Sequence, residues 1–350
     1  MKNLSEKGMF ISKPESAMLQ AVAVMLMVWH HLFGFPERIH VPYVLLTDEV
    51  FPFHVETMMS YFGRICIAVF AFVSGYGMRK KAVPGRSLFA DYKSILQQLL
   101  KFFSRYWIVF FLFIPLGYFM GVYPFDWKRF IKGIVGNGVG YNAEWWYVGT
   151  YMRMLLLFPI LSRLADLVQK RLPLLIHVLM AASMAALLLI PRSVSFYSFA
   201  SVLMCFVAGM YFVDCSIFET IYRTLSSRSW LQGMVGLVLV ALVFVLRFMG
   251  WPDYLTVPLF VFALLALIKL KQVVRLLSSV LMYVGRYSTY IWLTHTFFGY
   301  YYFQKLTFFP RYSWLIFLWC MVLSIASGVV MEYLLSWITK GLGMILPQKK

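Results

Sequence analysis

The stretch AVAVMLMVWHHLFG, residues 21–34, is an oily run closed by two adjacent histidines, His30 and His31. Apolar side chains gain by leaving water, whereas an imidazole in hydrocarbon needs hydrogen-bond partners. The pair therefore either caps the run at an interface or does chemistry. Which of these applies depends on where the run sits.

Composition places it. Of the 350 residues 61% are hydrophobic and only 13% charged, and the mean hydropathy is +0.76. A water-soluble domain of this length carries more charge. The apolar residues gather into ten stretches, at 17–35, 60–78, 104–121, 145–163, 173–191, 196–213, 231–249, 254–270, 279–303 and 314–338. Each is about as long as a helix needs to cross a bilayer core of roughly 30 Å. Gly, Pro or charged residues separate them. The expected fold is an all-α, polytopic membrane bundle of about ten helices. It forms one integral-membrane domain over 1–350, with short tails at 1–16 and 340–350. The first stretch has a basic flank but no small-residue cleavage site, so it reads as a span and not as a cleaved signal.

The net charge of +18 records topology, not nucleic-acid binding. With the N-terminus inside, 22 of the 32 Lys and Arg residues fall in inner segments and eight outside, namely Arg38, Lys128, Arg129, Lys132, Arg192, Arg247, Lys305 and Arg311. The last two, Arg64 and Arg153, fall within spans. This bias and an even number of spans put both termini in the cytoplasm of a multi-pass cell-membrane protein. A secondary attraction to anionic lipids follows. The four cysteines have neither pairing nor metal spacing and read as packing residues, and no metal is expected.

Ionisable residues inside spans are costly and usually face a cavity or a partner. His31 lies in the outer third of the first span, Arg64 opens the second, and Glu144 opens the fourth, just after Asn142. Arg153 stands near the middle of the fourth, His295 in the outer half of the ninth, and Glu332 in the inner third of the last. Two histidines, a carboxylate and an arginine thus converge on the outer half of the bundle. Plainer readings stand beside this one. The histidines can anchor an interface, Arg64 and Glu144 can snorkel to headgroups, and Arg153 can pair with a carboxylate. His295 can bond a neighbouring helix, and Glu332 can be a helix-end charge. Consecutive helical residues point about 100° apart, so His30 and His31 cannot both face one cavity.

Four stretches, in order, resemble acyltransferase family 3, the ten-span bacterial enzymes that acylate hydroxyls of surface sugars. They are MLQAVAVMLMVWHHLF (18–33), RICIAVFAFVSGYGM (64–78), NAEWWYVGTYMRMLLLFPIL (142–161) and VGRYSTYIWLTHTFF (284–298). The family's first helix usually reads a basic residue, ten residues, then His. Counting back eleven from His31 gives Gln20, so the resemblance selects His31 over His30. The two positions face one side of a helix about 16 Å apart. The family's cation, held to steady an acyl-CoA donor near the cytoplasm, is here Gln20. Lys101 and Arg105, four apart at the start of the third span, resemble the family's Arg-x-x-x-Arg and are a second candidate for the CoA phosphates. Ordinary positive-inside anchoring explains them equally.

The resemblance implies a membrane O-acyltransferase carrying an acyl group, expected to be acetyl, from cytoplasmic acyl-CoA to a sugar of an envelope or lipid-linked glycan. Neutral imidazole suits removal of a hydroxyl proton near neutrality, which casts His31 as general base. Glu144 is expected to orient it, as in a triad. Arg64, Arg153 and Asn142 are candidates to stabilise the oxyanion, and His295 completes the set. The competing reading is a transporter of a polysaccharide or lipid-linked intermediate.

Overall fold

The computed structural model describes residues 10–45, 54–172, 174–215 and 217–341. Much of the two expected tails lies outside them. The helices in chain order are α1 (Lys13–Phe33), α2 (Val55–Gly63), α3 (Cys66–Lys81), α4 (Leu88–Phe119), α5 (Trp127–Ile134), α6 (Trp146–Arg171) and α7 (Leu175–Leu188). There follow α8 (Ser195–Asp214), α9 (Ile217–Ser226), α10 (Ser229–Phe248), α11 (Asp253–Ile268), α12 (Lys271–Thr296), α13 (Gln304–Thr307) and α14 (Ser313–Gly341). Among the described residues the only strand-like pairing is an isolated bridge between Val44 and Tyr312.

Among the described residues six segments are long and apolar enough to cross a membrane: Lys13–Phe33, Val55–Lys81, Leu88–Phe119, Phe196–Asp214, Ser229–Phe248 and Ser313–Gly341. The pair Asp253–Ile268 and Lys271–Tyr301, bent by 107°, makes a seventh if taken as one span. All ten apolar stretches are helical, but length and composition qualify six or seven, not ten. The shortfall has local causes. α7 has 14 residues, α11 has 16, and α6 carries Arg153, Arg163 and Asp166 along its length.

The chain clusters into two compact units, each assembled from separate stretches. The first comprises Met1–Ala23, Arg64–Ser87 and Leu157–Arg286. Its α1 begins with a capping box. The Ser12 amide donates to Glu15 Oε2 at 2.6 Å and the Glu15 amide to Ser12 Oγ at 3.4 Å, satisfying two amides that a helix start leaves over. α3 and α8 touch backbone to backbone. A Cβ on Gly75 would collide with the Phe206 carbonyl, and one on Gly209 with that of Phe72. Small residues permit this approach between helices in lipid. At the ends of the two helices Arg79, itself buried, donates through Nε to both oxygens of Asp214 at 3.0 Å, pairs with Asp166 at 2.6 Å and bonds Ser162 Oγ at 2.8 Å. A buried guanidinium met on each edge in this way is a structural clamp.

The second unit comprises Val24–Gly63, Leu88–Leu156 and Tyr287–Lys350. Its core is aromatic: Tyr106, Phe110, Trp145 and Phe297 are fully buried against one another. Trp145 also donates its indole N–H to the Leu293 carbonyl at 3.1 Å, as a buried Trp requires. α4 and α14 are tied by Arg105 and Glu332 at 3.3 Å. α12 ends in a π-helical turn, Phe297–Tyr301. Such turns displace side chains from the α-helical register and recur at functional sites.

Candidate active site

The second unit brings His31 and His295 into contact. His31 Nδ1 lies 2.7 Å from His295 Nε2, with the rings stacked at 4.9 Å between centroids. His295 is 1% exposed. Its other nitrogen, Nδ1, faces the carbonyls of Ile291 and Trp292 at 2.8 and 2.9 Å. Carbonyls only accept, so His295 Nδ1 carries the proton. In the neutral ring Nε2 is then a lone pair that accepts from His31 Nδ1–H, and neutral His31 keeps its lone pair at Nε2. The helix backbone thereby sets the tautomer of His31 through His295.

His30 diverges, as the 100° step requires. Its Nδ1 donates to the Ser60 carbonyl at 2.9 Å, and Ser60 Oγ donates back to the His30 carbonyl at 3.1 Å. It bonds α2 while His31 bonds α12.

His31 Nδ1 faces His295 here, where Glu144 was expected. His295 occupies the position behind His31. Glu144, 8% exposed, accepts instead from Arg38 Nη1 at 2.8 Å and from Tyr301 OH at 3.1 Å. The turn carrying it is stitched to α12 and the π turn. Asn142 Nδ2 donates to Thr296 Oγ1 at 2.7 Å, the Ala143 amide to Tyr301 OH at 3.1 Å, and Trp292 Nε1 to the Glu144 carbonyl at 3.4 Å. Asn142, fully buried, also caps its turn by accepting from the Glu144 amide at 3.1 Å. The amide oxygen and one of the two Nδ2 N–H groups are thus engaged, which makes Asn142 a strut between its turn and α12.

Arg153 is exposed on α6 and bonds its own helix, at the Gly149 carbonyl and Thr150 Oγ1. Arg64, exposed at the turn between α2 and α3, and Gln20, half-buried on α1, belong to the first unit. Lys101 and Arg105 follow one another by a turn on α4, both half-buried. Arg105 is already paired with Glu332, so it is not a bare cation.

One residue in the cluster was not singled out by its sequence. Arg38, in the short 3₁₀ turn Pro36–Arg38 after α1, stacks over Phe35 at 4.3 Å and Tyr300 at 5.2 Å. It bonds Glu144 and, at 3.2 Å, Tyr300 OH. Partial burial alone would lower its pKa. The hydrogen bond and charge of Glu144, with Tyr300, outweigh that and hold the guanidinium above the usual arginine range. Phe35 in turn lies nearly parallel to the His31 ring, at 6.1 Å and 19°. The available signal was its spacing. Phe35 follows His31 by four, so a continued helical register sets the two on one face. Among the described residues, no group of three or more His, Cys, Asp and Glu side chains converges as a metal site.

Residues 17–333 match acyltransferase family 3, described as an acyltransferase domain. No curated protein and no solved structure matches the chain.

Proposed function

The chain belongs to acyltransferase family 3, and from that premise we propose that it is a membrane O-acyltransferase. It moves an acyl group, acetyl in the first instance, from cytoplasmic acyl-CoA to a hydroxyl of an envelope or lipid-linked glycan. The observation that carries the reading is the His31–His295 contact. A bare Nε2 on His31, with its Nδ1–H held from behind, is the arrangement a general base needs.

In this reading His31 Nε2 removes the proton of the acceptor hydroxyl as its oxygen attacks the thioester carbonyl. The resulting imidazolium is held through Nδ1–H by His295. Collapse of the tetrahedral intermediate expels the CoA thiolate, which takes the proton back from His31. Gln20, Lys101 and Arg105 are the candidates to meet the donor from the cytoplasmic side. Ten spans with both termini in the cytoplasm of the inner membrane, among anionic lipids, complete the proposal. The distribution of Lys and Arg and the helix at each of the ten stretches support it.

The test is a glycan analysis of a strain lacking the gene. An ester should disappear from an envelope glycan, return with the wild-type gene, and stay absent with His31→Ala at equal membrane abundance. An unchanged ester content would refute acyl transfer to glycans.

A further inference from the structure

Acyl transfer needs a second group besides the base. When the hydroxyl adds to the thioester, the carbonyl π pair moves onto oxygen, and that oxyanion needs fixed donors. Of the residues expected for this role, Asn142 donates to Thr296 and accepts from the Glu144 amide, and Arg153 bonds its own helix.

Arg38 meets the requirement. Its backbone is pinned, since its carbonyl accepts from Gln304 Nε2 at 2.8 Å and its amide donates to the Phe35 carbonyl at 3.0 Å. Its side chain is pinned as well. The guanidinium carbon lies 4.3 Å from the Phe35 ring centre and 5.2 Å from that of Tyr300, and Nη1 alone makes the bonds to Glu144 and Tyr300. Among the described residues Nε and Nη2 donate no hydrogen bond, and the side chain is 36% exposed. Those two N–H groups form the parallel edge with which a guanidinium holds an oxyanion. Phe35 stacks on both His31 and Arg38, which sets the guanidinium no farther from the imidazole than those two stacking distances together.

We propose that Arg38, through Nε–H and Nη2–H, is the oxyanion-stabilising catalytic residue of this site. The inference rests on the acyl-transfer reading above.

Charge balance favours a transient oxyanion over a permanently charged ligand. Glu144 already neutralises Arg38 at rest. A second full anion would have to share one cation with that carboxylate. Addition of a neutral hydroxyl to a neutral thioester instead creates the alkoxide and the His31 imidazolium together, so the sum of charges does not change. In the step itself the acceptor O–H proton goes to His31 Nε2 and the new C–O bond forms. The π pair goes to the carbonyl oxygen on Arg38. When C=O re-forms, the C–S bond breaks and the thiolate leaves, protonated by His31.

The experiment measures steady-state transfer in proteoliposomes, with acetyl-CoA and a purified envelope glycan, for wild type, Arg38→Lys, Arg38→Gln and Arg38→Ala. The expected result is a fall in kcat of about 10²–10³-fold, with KM for donor and acceptor little changed. Arg38→Lys should fall nearly as far as Arg38→Gln, because an ammonium keeps the charge but has no parallel edge. Arg38→Ala should regain activity on addition of guanidinium ions and not of sodium chloride at equal ionic strength. Such rescue requires a folded site with a guanidinium-shaped vacancy, which a purely structural role would not give. Should Arg38→Ala fail to accumulate, Arg38→Lys and Arg38→Gln carry the same comparison. A raised acceptor KM with kcat retained, or full activity in Arg38→Lys, would overturn the proposal while leaving acyl transfer intact. A wild-type protein unable to transfer the acetyl group would overturn both.

Discussion

His31 and His295 are 264 residues apart in the chain and 2.7 Å apart in the fold. The second histidine is held by two backbone carbonyls one helical turn behind it, so its proton is assigned by the helix itself. This gives His31 a defined tautomer without a carboxylate.

His31→Ala should therefore abolish acyl transfer, a loss of about 10²–10⁴-fold or more, as expected for removal of a general base. Membrane abundance should be normal. His30→Ala should keep most of the activity, because His30 spends its Nδ1 on Ser60. Reversed effects in paired transfer assays would mean that the base is His30.

His295→Ala should lower kcat with little change in either KM, because it removes the acceptor that fixes His31 and not a substrate contact. His295→Gln should retain more activity than His295→Ala, since an amide oxygen can accept from His31 Nδ1–H. Equal losses in the two variants would count against the orienting role.

The class of protein and the divergence of the two histidines were legible in the sequence. Hydropathy and the 100° step are local properties. The partner of Glu144 was not legible, because Arg38 falls between two apolar stretches, where a basic residue reads as topology. Only the path of the turn after α1, pinned by Gln304, brings it to the carboxylate. The gap between ten apolar stretches and six or seven qualifying helices has a related reason. An apolar stretch says nothing of a 107° bend between α11 and α12, nor of a helix as short as α7.

Glu144→Gln should weaken both the protein and the reaction. The amide keeps the shape but gives up the charge that fixes Arg38 Nη1. Its thermal unfolding in detergent should show a loss of about 1.5–3 kcal/mol, the scale of one hydrogen bond to a charged group. Glu144→Ala should lose more, because Tyr301 OH also forfeits its acceptor. A variant as stable and active as wild type would show that the Arg38–Glu144 pair positions nothing.

Topology has its own test. Reporter fusions at Gly85 and at the C-terminus should read cytoplasmic, and one at Leu45 external, because 22 basic residues crowd the inner segments. An external C-terminus would require an odd number of spans. That outcome fits seven, which length and composition allow when the bent pair is a single span.

The last prediction concerns the donor end, where Gln20 replaces the family's cation and Arg105 already has a carboxylate partner. If Arg105 serves the CoA phosphates, it must share itself with Glu332 at 3.3 Å. Glu332→Gln would then release it and lower the apparent KM for acyl-CoA, while Arg105→Gln would raise it, with kcat little moved in either case. That pattern marks uniform binding of the donor. If the pair only joins α4 to α14, both variants should lose stability together and leave KM alone. Gln20→Arg separates the remaining possibility, since it restores the family's charge on the helix face of His31, about three turns away. A lowered KM for acyl-CoA in Gln20→Arg, measured in proteoliposomes with donor on the face that carries the basic loops, would place the donor along α1. No change there, with the opposed shifts at Arg105 and Glu332, would place its phosphates on α4 instead.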